Sequence, residues 1–106
     1  MVIGKVLGTV VCTQKSSRLD GVKLQIVQPI DVNTLKLEGK SLVAIDTVGA
    51  GEGEIVMLVS GSSARQTETT NNTPTDAAII AILDTIEVDG SVLYDKSKER
   101  ISGSKK

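Results

Sequence analysis

A chain of 106 residues with a formal net charge of -1, one cysteine, no histidine and one aromatic residue has room for a single small core and little surplus surface. The near-balanced charge excludes a broad basic field for nucleic acid or anionic lipid. The lone Cys12 excludes an internal disulfide, and no apolar run has the length of a membrane span or precedes a signal cleavage site. The chain therefore reads as a cytosolic domain. Its apolar residues are mostly Val and Ile, which favour strands because a β-branched side chain loses less freedom on a pleated surface than in a helix.

From Val2 to Cys12 the even positions Val2, Gly4, Val6, Gly8, Val10 and Cys12 are small or apolar, and period two predicts a first strand. Gly4 and Gly8 then share a face, where a second backbone approaches closely or the strand coils. Asp20-Gly21 is a turn signal. Lys23 to Ile30 is a second strand that Pro29 closes or places at an edge. A polar link containing Asn33 and Gly39 leads to a third strand, Leu42 to Ile45, and Ile55 to Val59 is a fourth, between Gly53 and Gly61. The longest apolar segment runs from Ala77 to Val88. Asp76 after Pro74 suits a helical turn at Ala77-Ala78, whereas the β-branched content from Ile79 to Ile86 argues for strand over most of the segment. Asp89-Gly90 turns the chain into Ser91 to Tyr94, a sixth strand or an extension of the fifth. Arg65 to Thr73 is a polar, low-complexity loop, and 96–106 is a basic, solvated and flexible tail, which leaves residues 1–95 as the folded domain.

The predicted class is all-β: a small five- to six-stranded barrel of the oligonucleotide/oligosaccharide-binding (OB-like) type with one short helical turn, since closure removes exposed edges. In the fifth segment both faces are apolar, with Ile79, Ala81 and Leu83 on one and Ala78, Ile80, Ile82 and Ile86 on the other. A barrel has one inside, so the second face needs a cover. A short helix of the same chain and a neighbouring subunit are equally compatible with the pattern.

The residues that bear chemistry are sparse. Gly49-Ala50-Gly51-Glu52-Gly53-Glu54 approaches a dinucleotide fingerprint, but its third glycine comes one position early and a strand follows where a helix N-terminus is needed. Glu52 and Glu54 also repel phosphate, so the glycines read as positions of positive φ or close backbone approach. Ser62 and Ser63 lack a histidine base, and no spacing singles out a lysine for them. Cys12, amid Val10, Val11 and Thr13, reads as a small buried apolar residue. Carboxylates at Asp31, Asp46, Asp76, Asp84 and Asp89 are scattered and form no metal-binding loop. The expectation is no enzyme, no cofactor, no metal and no small-molecule substrate. Tyr94 alone makes no stacking platform, which weakens the alternative of an OB-like nucleic-acid-binding module.

Several motifs carry a resemblance over nearly the whole chain: Gly8-Thr9-Val10-Val11-Cys12-Thr13-Gln14-Lys15; Leu19-Asp20-Gly21-Val22-Lys23-Leu24 leading to Val27-Gln28; and Pro74-Thr75-Asp76-Ala77-Ala78 with Asp84 beyond. The most specific is the pair Asp-x-Val-Gly-Ala-Gly at 46–51 and Gly-Ser-Ser-Ala-Arg at 61–65. In these the sequence resembles the vertex proteins of bacterial microcompartment shells, a pentamer-forming family of carboxysomes and ethanolamine-type compartments. The resemblance implies a β-barrel that assembles as a five-fold ring and plugs the vertices of an icosahedral cytoplasmic shell tiled by hexameric shell proteins. Its partners would be its own copies and those hexamers, with no nucleic acid and no membrane. A five-membered ring closes through a heterologous interface. By family similarity Gly61, Ser62, Ser63, Ala64, Arg65 and Asp76 lie at the subunit interface, and Gly49, Ala50, Gly51 and Glu52 lie at the axis or pore. Arg65 would donate to a neighbour's carbonyls or carboxylate, or else pair with Asp76 of its own chain. Val92 to Lys96 would cross to the adjacent subunit. The sequence departs from the family where many relatives carry tryptophan and Ile55 stands here, and in a longer tail beyond Lys96.

Overall fold

A computed structural model of the chain describes residues 1–61, 64, 67 and 76–98. The strands are β1 (Val2–Val10), β2 (Lys23–Pro29), β3 (Leu42–Asp46), β4 (Ile55–Ser60), β5 (Ala77–Ile82), β6 (Thr85–Val88) and β7 (Ser91–Asp95), with a 3-10 turn at Ser17–Leu19. β1 to β5 close into a barrel in the order β1-β2-β3-β5-β4, and β6 and β7 form a separate two-stranded sheet. All barrel pairings are antiparallel except β3 with β5, a parallel seam of two residue pairs, Ile45 with Ala78 and Asp46 with Ile79. The OB-like barrel expected from the sequence is therefore present. The long apolar segment divides at Leu83-Asp84 into two strands, and Ala77 and Ala78 belong to β5, not to a helical turn. Asp89 (φ 51°) and Gly90 (φ 78°) make the two-residue turn between β6 and β7.

The barrel interior is filled by Val6, Val27, Ala44, Ala50, Val56, Leu58, Ala77 and Ile79, with Leu42 and Ile82 packed against them. Ile79 and Ile82 are three positions apart and still share this interior. The reason is a bulge: Leu58 pairs with Ile79 and Met57 with Ala81, so Ile80 is the extra residue and the faces exchange beyond it. Leu83 then enters a second cluster with Ile30, Ile55, Ile86 and Tyr94, joined by Ile3, Leu35, Val88 and Leu93. The chain's own β6–β7 hairpin thus covers the part of the outer wall around Ile3, Ile30 and Ile55, where the sequence pattern allows a helix or a neighbour as cover. Two such short strands are marginal alone, and their burial against Ile55 and Ile30 is what holds them.

A second bulge lies in β1. Val6 pairs with Val27 and Gly8 with Ile26, which sends Gly8 to the opposite face from Gly4 and corrects the shared face expected from strict alternation. Gly4 is the position of close approach: an added Cβ would lie 2.6 Å from Val27 Cγ1 and 3.0 Å from the Gln28 carbonyl oxygen. Gly8 has open space at the same point. Cys12 is exposed and not buried, because β1 ends at Val10 and the chain leaves the sheet, with Val11 86% exposed beside it.

These two glycines give a paired test. Gly4→Ala is expected to cost about 1–3 kcal/mol because backbone must shift, whereas Gly8→Ala is expected to stay within about 0.5 kcal/mol. Denaturant midpoints of the two variants read the difference directly.

Candidate functional site

The stretch from Asp46 to Glu54 joins β3 to β4, and its geometry follows from one carboxylate. Asp46 Oδ1 accepts the backbone N–H groups of Val48 (3.0 Å) and Gly49 (2.9 Å), and Oδ2 accepts that of Ala50 (2.8 Å). Gln25, 1% exposed on β2, donates its Nε2 to Asp46 Oδ2 at 3.2 Å and to the Ala50 carbonyl at 2.7 Å. Thr9 Oγ1 on β1 donates to Gln25 Oε1 at 2.9 Å. A chain of side chains from three strands thereby holds one loop. Successive amides aimed at one point are a ready site for an anion, and here the protein's own carboxylate occupies it. The glycine-rich stretch has no donors left for a phosphate in these three positions.

Gly49 (φ 76°) and Gly53 (φ 87°) provide the left-handed backbone that bends the loop around this carboxylate. Its second half is held to β1, with Gly53 N donating to Val6 O (2.8 Å) and Val6 N to Glu54 O (3.0 Å). Glu54 Oε1 accepts Gly51 N, and its Oε2 forms an ion pair with Lys96 Nζ at 2.5 Å. Lys96, the first residue of the basic segment, also donates its backbone N–H to Asp84 O at 2.8 Å. Residues 96–98 are helical, and Asp95 Oδ1 caps them by accepting from Ser97 Oγ (2.7 Å) and Ser97 N (3.0 Å), bonds that hold the Asp95 carboxyl below its ordinary value.

Of the residues expected at the axis, Gly49 and Glu52 are exposed and Gly51 is half-buried, while Ala50 is fully buried and packs inside the barrel. Ala50 thus supports the loop from below and offers no exposed surface. Of those expected at the interface, Gly61 and Asp76 are exposed neighbours, Gly61 N donating to Asp76 O at 2.8 Å, and Ala64 is fully buried. Ser62, Ser63 and Arg65 lie outside the described residues, as does the pairing of Arg65 with Asp76. Tyr94, on β7, is 6% exposed, so the chain's one aromatic ring is not an open stacking platform for nucleobases. The sequence did not single out Gln25, and it placed Asp46 only in the motif at 46–51 and among the scattered carboxylates, with no role for its side chain. A polar residue at an inward position of β2, and an Asp three residues ahead of a glycine, are the signals that would have found them.

Comparison with known proteins accords with this geometry. Residues 1–84 match the family described as ethanolamine utilisation protein EutN/carboxysome. The chain belongs to this family. It is 46% identical over 87 residues to the bacterial microcompartment shell vertex protein GrpN of Rhodospirillum rubrum, covering 82% of this chain and 97% of GrpN. Its fold is similar to the CcmL structure from Gloeobacter violaceus, with TM-score 0.86 and 43% identity over 92% of this chain and 99% of that one. The pentameric GrpN structure superposes with TM-score 0.75 and 46% identity over 83% of this chain and 99% of the other.

The loop network predicts a hierarchy of substitutions. Asp46→Ala leaves the buried Ala50 amide without its acceptor and takes one of two acceptors from the Gln25 side chain, and is expected to lower stability by about 3 kcal/mol. Lys96→Met removes only a partly exposed ion pair and is expected to cost under about 1 kcal/mol. Denaturant unfolding of both variants under one set of conditions checks the order.

Proposed function

We propose that this protein is a structural vertex component of a bacterial microcompartment shell, acting as a ring of five identical chains and without catalysis. The observation that carries the reading is the likeness, over more than four-fifths of this chain and nearly all of theirs, to proteins named as shell vertex proteins, one of them solved as a pentamer. A flat hexagonal layer closes into a shell only where five-fold units replace six-fold ones, so the task is geometric. A closed barrel whose β3–β4 loop is tied down by the Asp46 and Glu54 carboxylates suits such a task. The ring's neighbours in the shell are hexameric shell proteins.

Within the ring, Gly61, Ser62, Ser63, Arg65 and Asp76 of one chain face a different patch of the next, as a closed odd-numbered ring requires, with Ala64 buried behind them. Gly49, Gly51 and Glu52 face the axis, on a loop that Asp46 holds at Gly49 and Glu54 holds at Gly51. The outer side of the hairpin joins the contact through Val92, which is 54% exposed while Tyr94 and Leu93 pack on the chain's own barrel. Burying Val92 in a neighbour would contribute about 1–2 kcal/mol per interface.

Native mass spectrometry at near-physiological salt is expected to give five times the 11.1 kDa chain mass. A monomer would remove the ring, and a mass of six chains would remove the vertex role. Arg65→Ala is expected to shift the assembly toward smaller species, and an unchanged pentamer would count against the interface role of that residue.

A further inference from the structure

A groove of about 380 Å3 lies on the outer wall of the barrel, between β1, the loop that follows β2, and the hairpin. Its floor is firm: Ile30, Ile55 and Tyr94 are each less than 9% exposed and belong to the second core cluster. Its lips are apolar yet open, with Leu7 42% and Leu37 61% exposed. Lys5 and Lys36 also line it, no carboxylate does, and neither lysine enters an ion pair among the described residues. An apolar surface of this size with a few convergent groups of one charge is the usual form of a small-ligand site.

The loop that forms one wall is built to keep its shape. Leu35 N donates to Asp31 O (2.8 Å), Asp31 N donates to Lys36 O (2.9 Å), and Leu37 bridges back to Ile30. The Asp31 carboxylate accepts the backbone N–H groups of Asn33 (2.8 Å) and Thr34 (3.0 Å), which holds it below the ordinary aspartate range. A lowered folded-state value means that this stabilisation is complete above the unfolded-state value and lost as the pH falls through the folded one, so the loop keeps its form at neutral pH. Leu35 itself sits at φ 61°, a left-handed conformation that is costly for a leucine and persists because its side chain is packed against the groove floor.

We propose that this groove binds an amphiphilic anion, with an apolar body resting on Ile55 and Tyr94 between the two leucine lips and a carboxylate or sulfonate held by Lys5 and Lys36. The apolar body removes Leu7 and Leu37 from water, and the two ammonium groups supply charge that nothing else in the groove neutralises.

Anilinonaphthalene sulfonate, an apolar ring system bearing one sulfonate, is the probe, titrated into the intact protein at low and high salt with fluorescence and calorimetric readout. One dye per chain is expected, with affinity falling as salt rises. Lys5→Met and Lys36→Met are each expected to raise the dissociation constant about fivefold, the scale of one solvent-facing ion pair. Leu7→Glu, at a position open enough to accept the change, is expected to abolish binding by placing a carboxylate on the lip. Lys15→Met, equal in charge change but outside the groove, is expected to bind as the parent does. Dye uptake unaffected by the three groove variants would overturn the proposal, because the dye would be bound elsewhere. An assembly that takes up no dye would also overturn it, because a neighbouring chain would then cover the groove. Native mass spectra of the same samples tell a lost site from a lost ring. A pentamer without dye defeats this proposal alone, and a monomer that binds dye defeats only the ring.

Discussion

The barrel depends on how its weakest seam is closed. β3 and β5 meet in parallel through only two residue pairs, and Asp46 stands in one of them. Its carboxylate gathers three loop amides and the Gln25 side chain, while the next residue, Thr47, bonds to Ile79 O through its hydroxyl at 2.7 Å. The seam is therefore sewn by side chains where the backbone ladder is short. A buried carboxylate is costly unless its oxygens are satisfied, and here both of them are. That requirement fixes the loop, and the loop in turn sets where β4 begins.

Above this seam the chain solves a second problem, an apolar surface on both sides of one wall. The extra residue at Ile80 turns Leu83 outward, and the hairpin that follows folds back over Ile55 and Ile30. Each of the two clusters is small and neither contains a large aromatic residue other than Tyr94. Ile55, smaller than an aromatic ring, forms part of the floor of the groove between β1 and the hairpin. The same wall thus joins the hairpin to the barrel and presents the open apolar surface with its two lysines. For a part of a shell, rigidity and surface shape are the working properties, and both descend from the bulge and the satisfied carboxylate.

The glycine-rich stretch illustrates how a motif misleads when read as chemistry alone. Its amides do converge on an anion, as in a phosphate site, but the anion is covalently part of the chain. The negative charges at Glu52 and Glu54 argued against phosphate from the sequence. The positive answer, that Asp46 fills the position, needed the fold of β3 against β2 and β5.

Much was legible in the residues themselves. Period two and β-branched composition placed the barrel strands, Asp89-Gly90 marked a tight turn, and the paired motifs at 46–51 and 61–65 carried the family, because these features are local and follow from backbone conformation and side-chain alternation. Bulges at Leu7 and Ile80 were not legible, since an extra residue leaves the composition unchanged and shows itself only in the register against a partner strand. For the same reason Gly4 and Gly8 do not share a face, while Cys12 is exposed because β1 ends at Val10. The sequence by itself determined an all-β chain with one turn-rich joint and a family. Tertiary structure alone decided which apolar face lies inside, which carboxylate is buried and which lysines remain unpaired, because each of these depends on contacts between residues far apart in the chain.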